Sequence, residues 1–191
     1  TAPEAELVSV KRPVMPFARF PGEDSLLGPE MKSTGEVMGR DRHFGLALAK
    51  AYLGAGDSLP DHGTVFLSMR DDDKRSITFM AKKLVELGYQ LVGTRGTARY
   101  LRRYGVPCRE VFKVHEGRPH AVDLIEAGDV QLVINTPLGR ASNYDEKAIR
   151  ASAVSLGVPV ITTVAGAMAA VMGMEALKER RLEVTALQEV V

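Results

Sequence analysis

"LVGTRGTARYL", residues 91–101, runs from an apolar pair into Gly93, then through Thr94, Arg95, Gly96 and Thr97 to Ala98 and Leu101. The apolar start, the glycine and the renewed apolar spacing predict a strand that ends in a tight turn and opens a helix. Backbone N–H groups at a helix start have no intrahelical partner, and the helix dipole adds positive potential there. Threonines, a glycine and an arginine at such a point suit an anion.

Around this turn the chain alternates. Residues 64–69 (TVFLSM) predict a first strand, and 73–88 a helix with Ile77, Met80, Ala81, Leu84 and Leu87 at helical spacing, ended by Gly88. YQLVGT is the second strand, TARYLRRYG a short helix ended by Gly105, and 109–114 (REVFKV) the third strand. Residues 120–128 predict a helix, 130–136 (VQLVINT) the fourth strand, 143–157 a helix and 158–163 (VPVITT) the fifth strand. Residues 164–181 predict a helix whose small residues suit close packing on a sheet, and 182–187 (LEVTAL) a last edge strand. Mostly continuous apolar strands alternating with helices predict an α/β fold, a parallel sheet covered on both faces. In such sheets ligands bind at the carboxyl ends of the strands, where strand order reverses.

Residues before 64 differ. Residues 10–39 are dense in Pro and Gly and carry no clear period. Residues 42–56 predict a helix with Leu46, Ala49 and Leu53 on one face, and 56–63 (GDSLPDHG) read as a linker. The expected division is therefore 1–63, the irregular end of a larger preceding domain, and 64–191, an α/β domain.

Composition sets the outer bounds. With 191 residues the chain can bury one good core. Its 25 basic and 24 acidic residues nearly cancel, which argues against nucleic acid or a membrane surface as partner. No apolar run approaches the ~18 residues of a membrane span, and the N-terminus has no signal-peptide pattern. The chain lacks a starting Met and is expected to begin inside a longer one. The single Cys108 cannot form an internal disulfide; a reducing cytoplasm is the expected compartment, with Cys108 a packing residue.

The predicted strand ends supply one polar set: Ser68, then Lys74 at the next helix start; Thr94, Gly96 and Thr97; Lys113; Asn135 and Thr136; Thr162 and Thr163. For one turn alone, threonine caps and solvated lysines suffice as an explanation. Five strand ends that agree favour a phosphate ligand. Three consecutive acids in RDDDK (70–74) do not face one point, and acids before a helix are favoured by its dipole, so no metal is read there. In KVHEGRPH (113–120) the histidines are five apart with Gly117 and Pro119 between them, against the i, i+4 pattern of helical zinc ligands. GPEMKST (28–34) lacks the glycine that a P-loop has before its lysine, and GTRGTA lacks the third glycine of the dinucleotide fingerprint. A phosphate-ester enzyme would want a carboxylate base beside the phosphate; Asp71, Asp73 and Glu116 are the candidates.

FARFPGEDSLLGPEMKSTGEVMG (17–39) resembles the closing segment of the second ATP-grasp unit in the carbamoyl-phosphate synthase large-subunit family. The alternating region, with GTRGTA, KVHEGRPH and INT, resembles the methylglyoxal-synthase-like regulatory domain that follows it; the likeness runs from about Val10 to the last predicted strand. It implies a methylglyoxal-synthase-like five-stranded parallel sheet with helices on both faces. It implies an effector site for nucleotide monophosphates, UMP or IMP, at Ser68, Lys74, Thr94, Arg95, Gly96, Thr97, Lys113, Asn135 and Thr136. It implies a parent that makes carbamoyl phosphate from bicarbonate, ammonia or glutamine and two ATP, for pyrimidine and arginine synthesis. ATP with Mg2+ or Mn2+ would bind upstream, so no cofactor, metal or catalytic residue is expected in this chain. Expected partners are the upstream ATP-grasp domains, a glutamine amidotransferase small subunit and a homo-oligomer mate.

Three departures stand out. Arg95 replaces a frequent His, and a guanidinium still holds phosphate. Pro137 replaces a frequent threonine. Thr162, a second effector position in relatives activated by ornithine, is present, but Arg12 stands where those relatives carry an acid. The alternative function is a phosphate-processing lyase of the methylglyoxal synthase type. Against it, Arg118 aligns with that enzyme's catalytic Asp and Thr136 with a second Asp, and a cation cannot be the base. A cyclohydrolase that closes IMP shares only the turn. Effector binding is expected to reach the ATP-grasp unit through residues 15–60.

Overall fold

The computed structural model describes residues 7–20, 24–27, 30–137, 144–184 and 186–189. Residues 28 and 29 of GPEMKST, Asn143 at the head of a predicted helix and Thr185 in the predicted last strand lie outside that set.

The Pro- and Gly-rich start contains two strands that its sequence did not announce. β1 (Val8–Val14) and β2 (Gly35–Asp41) pair antiparallel, from Val8 opposite Asp41 to Val14 opposite Gly35. Long separation along the chain hides such a pairing, and Pro13 in β1 lowers the strand signal. β2 leads into α1 (Phe44–Gly54), and Gly39 lies against it so closely that a Cβ would sit 2.0 Å from the Ala47 carbonyl oxygen.

Five parallel strands follow: β3 (Thr64–Ser68), β4 (Gln90–Thr94), β5 (Arg109–Val111), β6 (Leu132–Asn135) and β7 (Val160–Ile161). Their order is β5-β4-β3-β6-β7. Between them run α2 (Lys74–Glu86), α3 (Arg95–Arg103), α4 (Ala121–Glu126) and α5 (Tyr144–Ser155), and α6 (Val164–Glu179) follows β7. Alternation along each strand divides the core into two layers. Val65, Leu67, Leu91, Leu132, Ile134 and Ile161 meet α2, α3, α6 and α1 on one face. Phe66, Val92, Val111 and Val133 meet α4 and α5 on the other. Burying both faces is what requires continuous apolar strands.

The strands are shorter than the apolar runs, for local reasons. After Val111, the Lys113 N–H turns to the Glu116 carboxylate at 3.0 Å, which ends β5 before residue 114. Pro159 has no N–H to give, and Thr163 is taken as the cap of α6, accepting from the Gly166 N–H at 3.1 Å. Among the described residues of the predicted strand at 182–187 no ladder forms: 182–184 have no strand partner, and Leu187–Glu189 form a 3-10 turn. Alternation alone does not make a strand when the neighbouring edge, β7, is two residues long. The small residues of α6 serve a helix contact as well as the sheet. A Cβ on Gly45 would lie 2.5 Å from the Met172 carbonyl, and one on Gly173 2.6 Å from Leu59 Cδ1.

Gly39→Ala is expected to cost ~1–3 kcal/mol, because the backbone of α1 cannot yield to a methyl group. Gly35, with nothing within 4 Å of its would-be Cβ, is the control: Gly35→Ala stays close to wild type. Denaturant unfolding of the two variants measures the difference, and equal midpoints would refute the close-packing account.

Candidate functional site

The chain leaves β3 for β4 on one side and later returns to β6 on the other, so strand order reverses at β3. The crevice predicted by that reversal lies at the carboxyl ends of β3, β4 and β6. Ser68, Thr94 and Asn135 close these three strands, and all are buried. Ser68 and Asn135 are directly paired across β3 and β6. Gly93 lets β4 approach here; a Cβ on it would lie 2.9 Å from the Leu67 carbonyl oxygen.

The backbone after Ser68 leaves the sheet, and its amides need acceptors. Threonine hydroxyls supply them. The Met69 N–H donates to Thr97 Oγ1 at 3.0 Å, and the Arg70 N–H donates to Thr136 Oγ1 at 3.0 Å. The Thr94 hydroxyl donates to Thr97 Oγ1 at 3.3 Å. With its lone pairs so used, the Thr97 hydroxyl has its proton left to give. Thr94 sits at the N-cap of α3 yet its side chain makes no capping bond to the first-turn amides of that helix. The result is a cluster of donors around one point.

Lys74 adds charge. A Cβ on Gly96 would meet Lys74 Nζ at 3.0 Å, so the ammonium lies over the α3 turn. It pairs with Asp71 at 2.5 Å. Lys74, by hydrogen bond and charge, holds the Asp71 carboxyl below its ordinary range; Lys113 contributes further, which places it near the same group. The structure thus brings Ser68, Lys74, Thr94, Gly96, Thr97, Asn135 and Thr136 together, with Lys113 alongside. The Arg95 guanidinium does not join them: its Nε donates to Glu110 at 3.1 Å, a carboxylate also paired with Arg99 and Arg102. Thr162 lies just past β7, half-buried, at the sheet edge opposite β5. Arg12 stacks on the Tyr52 ring 3.7 Å from its centre and pairs with Asp57.

The three candidate base carboxylates are all engaged. Asp71 holds Lys74, Asp73 holds Arg70, and Glu116 accepts the Lys113 N–H. Arg118 is exposed and lies 3.4 Å from Asp123. Both histidines of KVHEGRPH make hydrogen bonds. His115 Nδ1 meets Asp145, and His120 caps α4 reciprocally with Asp123. Burial pushes the Cys108 thiol up to about 11, which suits packing rather than thiolate chemistry. Among the described residues no group of three or more His, Cys, Asp or Glu could hold a metal ion, and no helix is long and apolar enough to cross a membrane.

One residue at this site was invisible to sequence reasoning. Arg150 of α5 is fully buried. Its Nη1 donates to Asn135 Oδ1 at 2.5 Å, and Nε and Nη2 each donate to one Asp24 oxygen at 2.7 Å. Asn135 in turn donates from Nδ2 to the Ser68 carbonyl at 3.2 Å. The available signal was an arginine among apolar and small residues of a helix, Ile149 and Ala153, but nothing in it names a partner 126 residues away.

The MGS-like domain family matches residues 76–162 of this chain. The carbamoyl phosphate synthase large chain of Acidobacterium capsulatum is 51% identical over 179 residues, which are 94% of this chain and 16% of that one. A carbamoyl phosphate synthase large chain, C-terminal section, from Methanopyrus kandleri is 50% identical over 185 residues, 96% of this chain and 34% of that relative. A crystal structure of methylglyoxal synthase from Elizabethkingia anophelis overlays with a TM-score of 0.48 at 22% identity, covering 57% of this chain and 76% of that one. The chain therefore spans less than two thirds of the curated relatives it matches, 16% of the first and 34% of the second.

The Asp24 carboxyl carries a pH prediction. Burial alone would raise its pKa; the Arg150 hydrogen bonds, the Leu26 amide and the charges of Arg150 and Lys147 outweigh it and lower the pKa below 3.8. A depressed carboxylate contributes stability that is present above its unfolded pKa and is lost as pH falls through the folded one. Below pH ~4 the wild type should therefore lose stability more steeply than Asp24→Asn. Denaturant titrations from pH 6 down to 2 test this, and parallel curves would exclude Asp24 as the responsible group.

Proposed function

Because this chain belongs to the carbamoyl phosphate synthase large-chain family, as an MGS-like C-terminal section, we propose that it is the allosteric region of such an enzyme and binds a nucleoside monophosphate, UMP or IMP. Residues 64–191 would form the effector domain and 1–63 the end of the preceding ATP-grasp unit. In this reading the parent is a cytoplasmic ligase. It makes carbamoyl phosphate for pyrimidine and arginine synthesis from bicarbonate, ammonia or glutamine, and two ATP with Mg2+ or Mn2+. It works with a glutamine amidotransferase small subunit, and the present chain contributes regulation rather than catalysis.

One observation carries the reading: the hydroxyls of Thr97 and Thr136 accept the amides of Met69 and Arg70 at the strand-order reversal, beside Lys74 and the uncapped start of α3. Hydroxyls fed in this way present protons, and a phosphate takes donors only. The effector phosphate would sit over the 94–97 turn, with Lys74 turning from Asp71 toward it and Lys113 completing the charge. A proton-abstracting enzyme would need an available carboxylate in the same place, and Asp71, Asp73 and Glu116 are already committed to cations or amides. The donors of the crevice suit a nucleotide's phosphate; the metal that ATP brings would need grouped carboxylates, and none are grouped for it among the described residues.

Calorimetric titration with UMP and with IMP, against inorganic phosphate, tests the proposal, with dihydroxyacetone phosphate turnover followed in parallel. Saturable nucleotide binding tighter than phosphate, without turnover, is the expected result. Turnover would overturn it in favour of a lyase. Thr94→Ala removes the hydroxyl that feeds Thr97 and should weaken nucleotide binding about tenfold; unchanged affinity would remove the turn from the site. Asp71→Asn frees Lys74 from its carboxylate and should tighten binding about two- to fivefold. That gain should shrink as salt is raised, since the Asp71 carboxylate is exposed.

A further inference from the structure

The buried polar chain from Ser68 to Asp24 does more than fill space. Asn135 closes β6 in the candidate phosphate site and gives its amide to the Ser68 carbonyl. Its own oxygen accepts from Arg150 Nη1, and the other two edges of that guanidinium grip Asp24 with two bonds of equal length, 2.7 Å. Glu146, one turn back on α5, lies 3.8 Å from the same Nη1. A guanidinium is a rigid plane with a fixed fork of donors. It cannot follow a displaced Asn135 and still hold both oxygens of Asp24 at 2.7 Å. The Arg150 side chain is 0% exposed, so the guanidinium is held by protein partners rather than by bulk solvent. A buried cation with a broken pair is costly, so a shift at one end is passed to the other rather than absorbed.

Asp24 belongs to the segment before α1, in the part of the chain that precedes the effector domain. The Leu26 N–H donates to its Oδ1 at 3.2 Å, so the carboxylate also shapes the local backbone. The same helix reaches the other side of the site: Asp145, at the start of α5, accepts the His115 N–H at 3.3 Å and meets the His115 ring, in the loop that carries Lys113.

We propose that Arg150 is a coupling strut, a positioning residue that transmits occupancy of the phosphate site from Asn135 to Asp24 and so to the segment preceding α1. The proposal rests on the effector reading for its ligand, but the strut itself is a property of the free protein. Binding is thereby linked to the geometry of residues 24–27, and linkage makes the effect reciprocal: what loosens Asp24 weakens the ligand.

Two arms test it. In the first, without ligand, the isotope-labelled chain is compared with Asp24→Asn by NMR. The Asn135 side-chain amide and the Thr136 backbone amide are expected to shift, while those of Leu84 in α2 stay in place. Unmoved Asn135 and Thr136 signals would overturn the strut whatever the ligand does. In the second, UMP is titrated into the wild type, Asp24→Asn, Asp24→Glu and Arg150→Lys. UMP should shift the Leu26 amide in the wild type. Asp24→Asn should weaken UMP about fivefold or more, Asp24→Glu should recover part of that loss, and Arg150→Lys, which keeps the charge but loses the fork, should abolish the Leu26 response. Melting temperatures taken alongside separate this from unfolding, since a purely structural role would leave UMP affinity intact in every variant that stays folded. UMP binding with an unmoved Leu26 would overturn the strut and leave the effector reading standing. No UMP binding at all would sink the effector reading, and the first arm would still decide the strut.

Discussion

Strand β3 is paired on both edges and buried on both faces, and most of the molecule follows from that position. Parallel neighbours on both sides require crossovers, so helices must cover both faces. The chain has to build outward through β4 to β5, then return past β3 to add β6 and β7. That return opens the crevice at the carboxyl ends. Beyond Ser68, however, β3 has no ladder left: β4 has turned into α3, and β6 has ended. The Met69 and Arg70 amides would be orphaned in a buried place, at a cost of about 1–3 kcal/mol each. Thr97 and Thr136 accept them. The residues that repair the end of the central strand are thus the ones that face the crevice.

This dual role explains the chemistry of the crevice. Acceptors have been spent inward, on the protein's own amides, and donors remain outward. Among the described residues, the carboxylate paired with Lys74 is Asp71, which is itself exposed. Donors so arranged suit an anion better than a metal ion, which needs acceptors. The run of three acids at 71–73 does not contradict this. Its side chains go to Lys74 and Arg70, as neutralising partners of the helix start.

The sequence was most informative where structure is local. Apolar spacing located every helix from α1 to α6 and every strand of the parallel sheet, because each is set by residues within one element. The strand-end set was legible for the same reason, given the rule that ligands lie at carboxyl ends. What could not be read was pairing at a distance. β1 and β2 lie in a stretch of prolines and glycines with no clear period, where Gly39 is a contact with α1. Arg95, placed by spacing at the anion turn, is drawn off by Glu110 on β5, a partner that no window around it contains. Arg150 is buried by the fold against Asp24, a partner 126 residues away that no local pattern names. The false strand at 182–187 is the converse case, a local pattern with no neighbour to pair with.

The segment before the parallel sheet is joined to it in two physically different ways. One joint is apolar and interlocked: α1 meets β2 and α6 through Gly39, Gly45 and Gly173, where even a methyl group would strike backbone or core atoms. Close-packed surfaces of that kind have one register and transmit displacement as a rigid body. The other joint is polar: the Asp24 to Arg150 ion pair, which reaches Asn135. Directional bonds of that kind have two states, made and broken, and the cost of breaking one is concentrated in one place. A signal that distinguishes a filled crevice from an empty one needs such a discrete element, because packed interfaces do not deform by degrees. The two joints therefore divide the work: α1 fixes how the two parts sit, and Arg150 is the place where their relation can change.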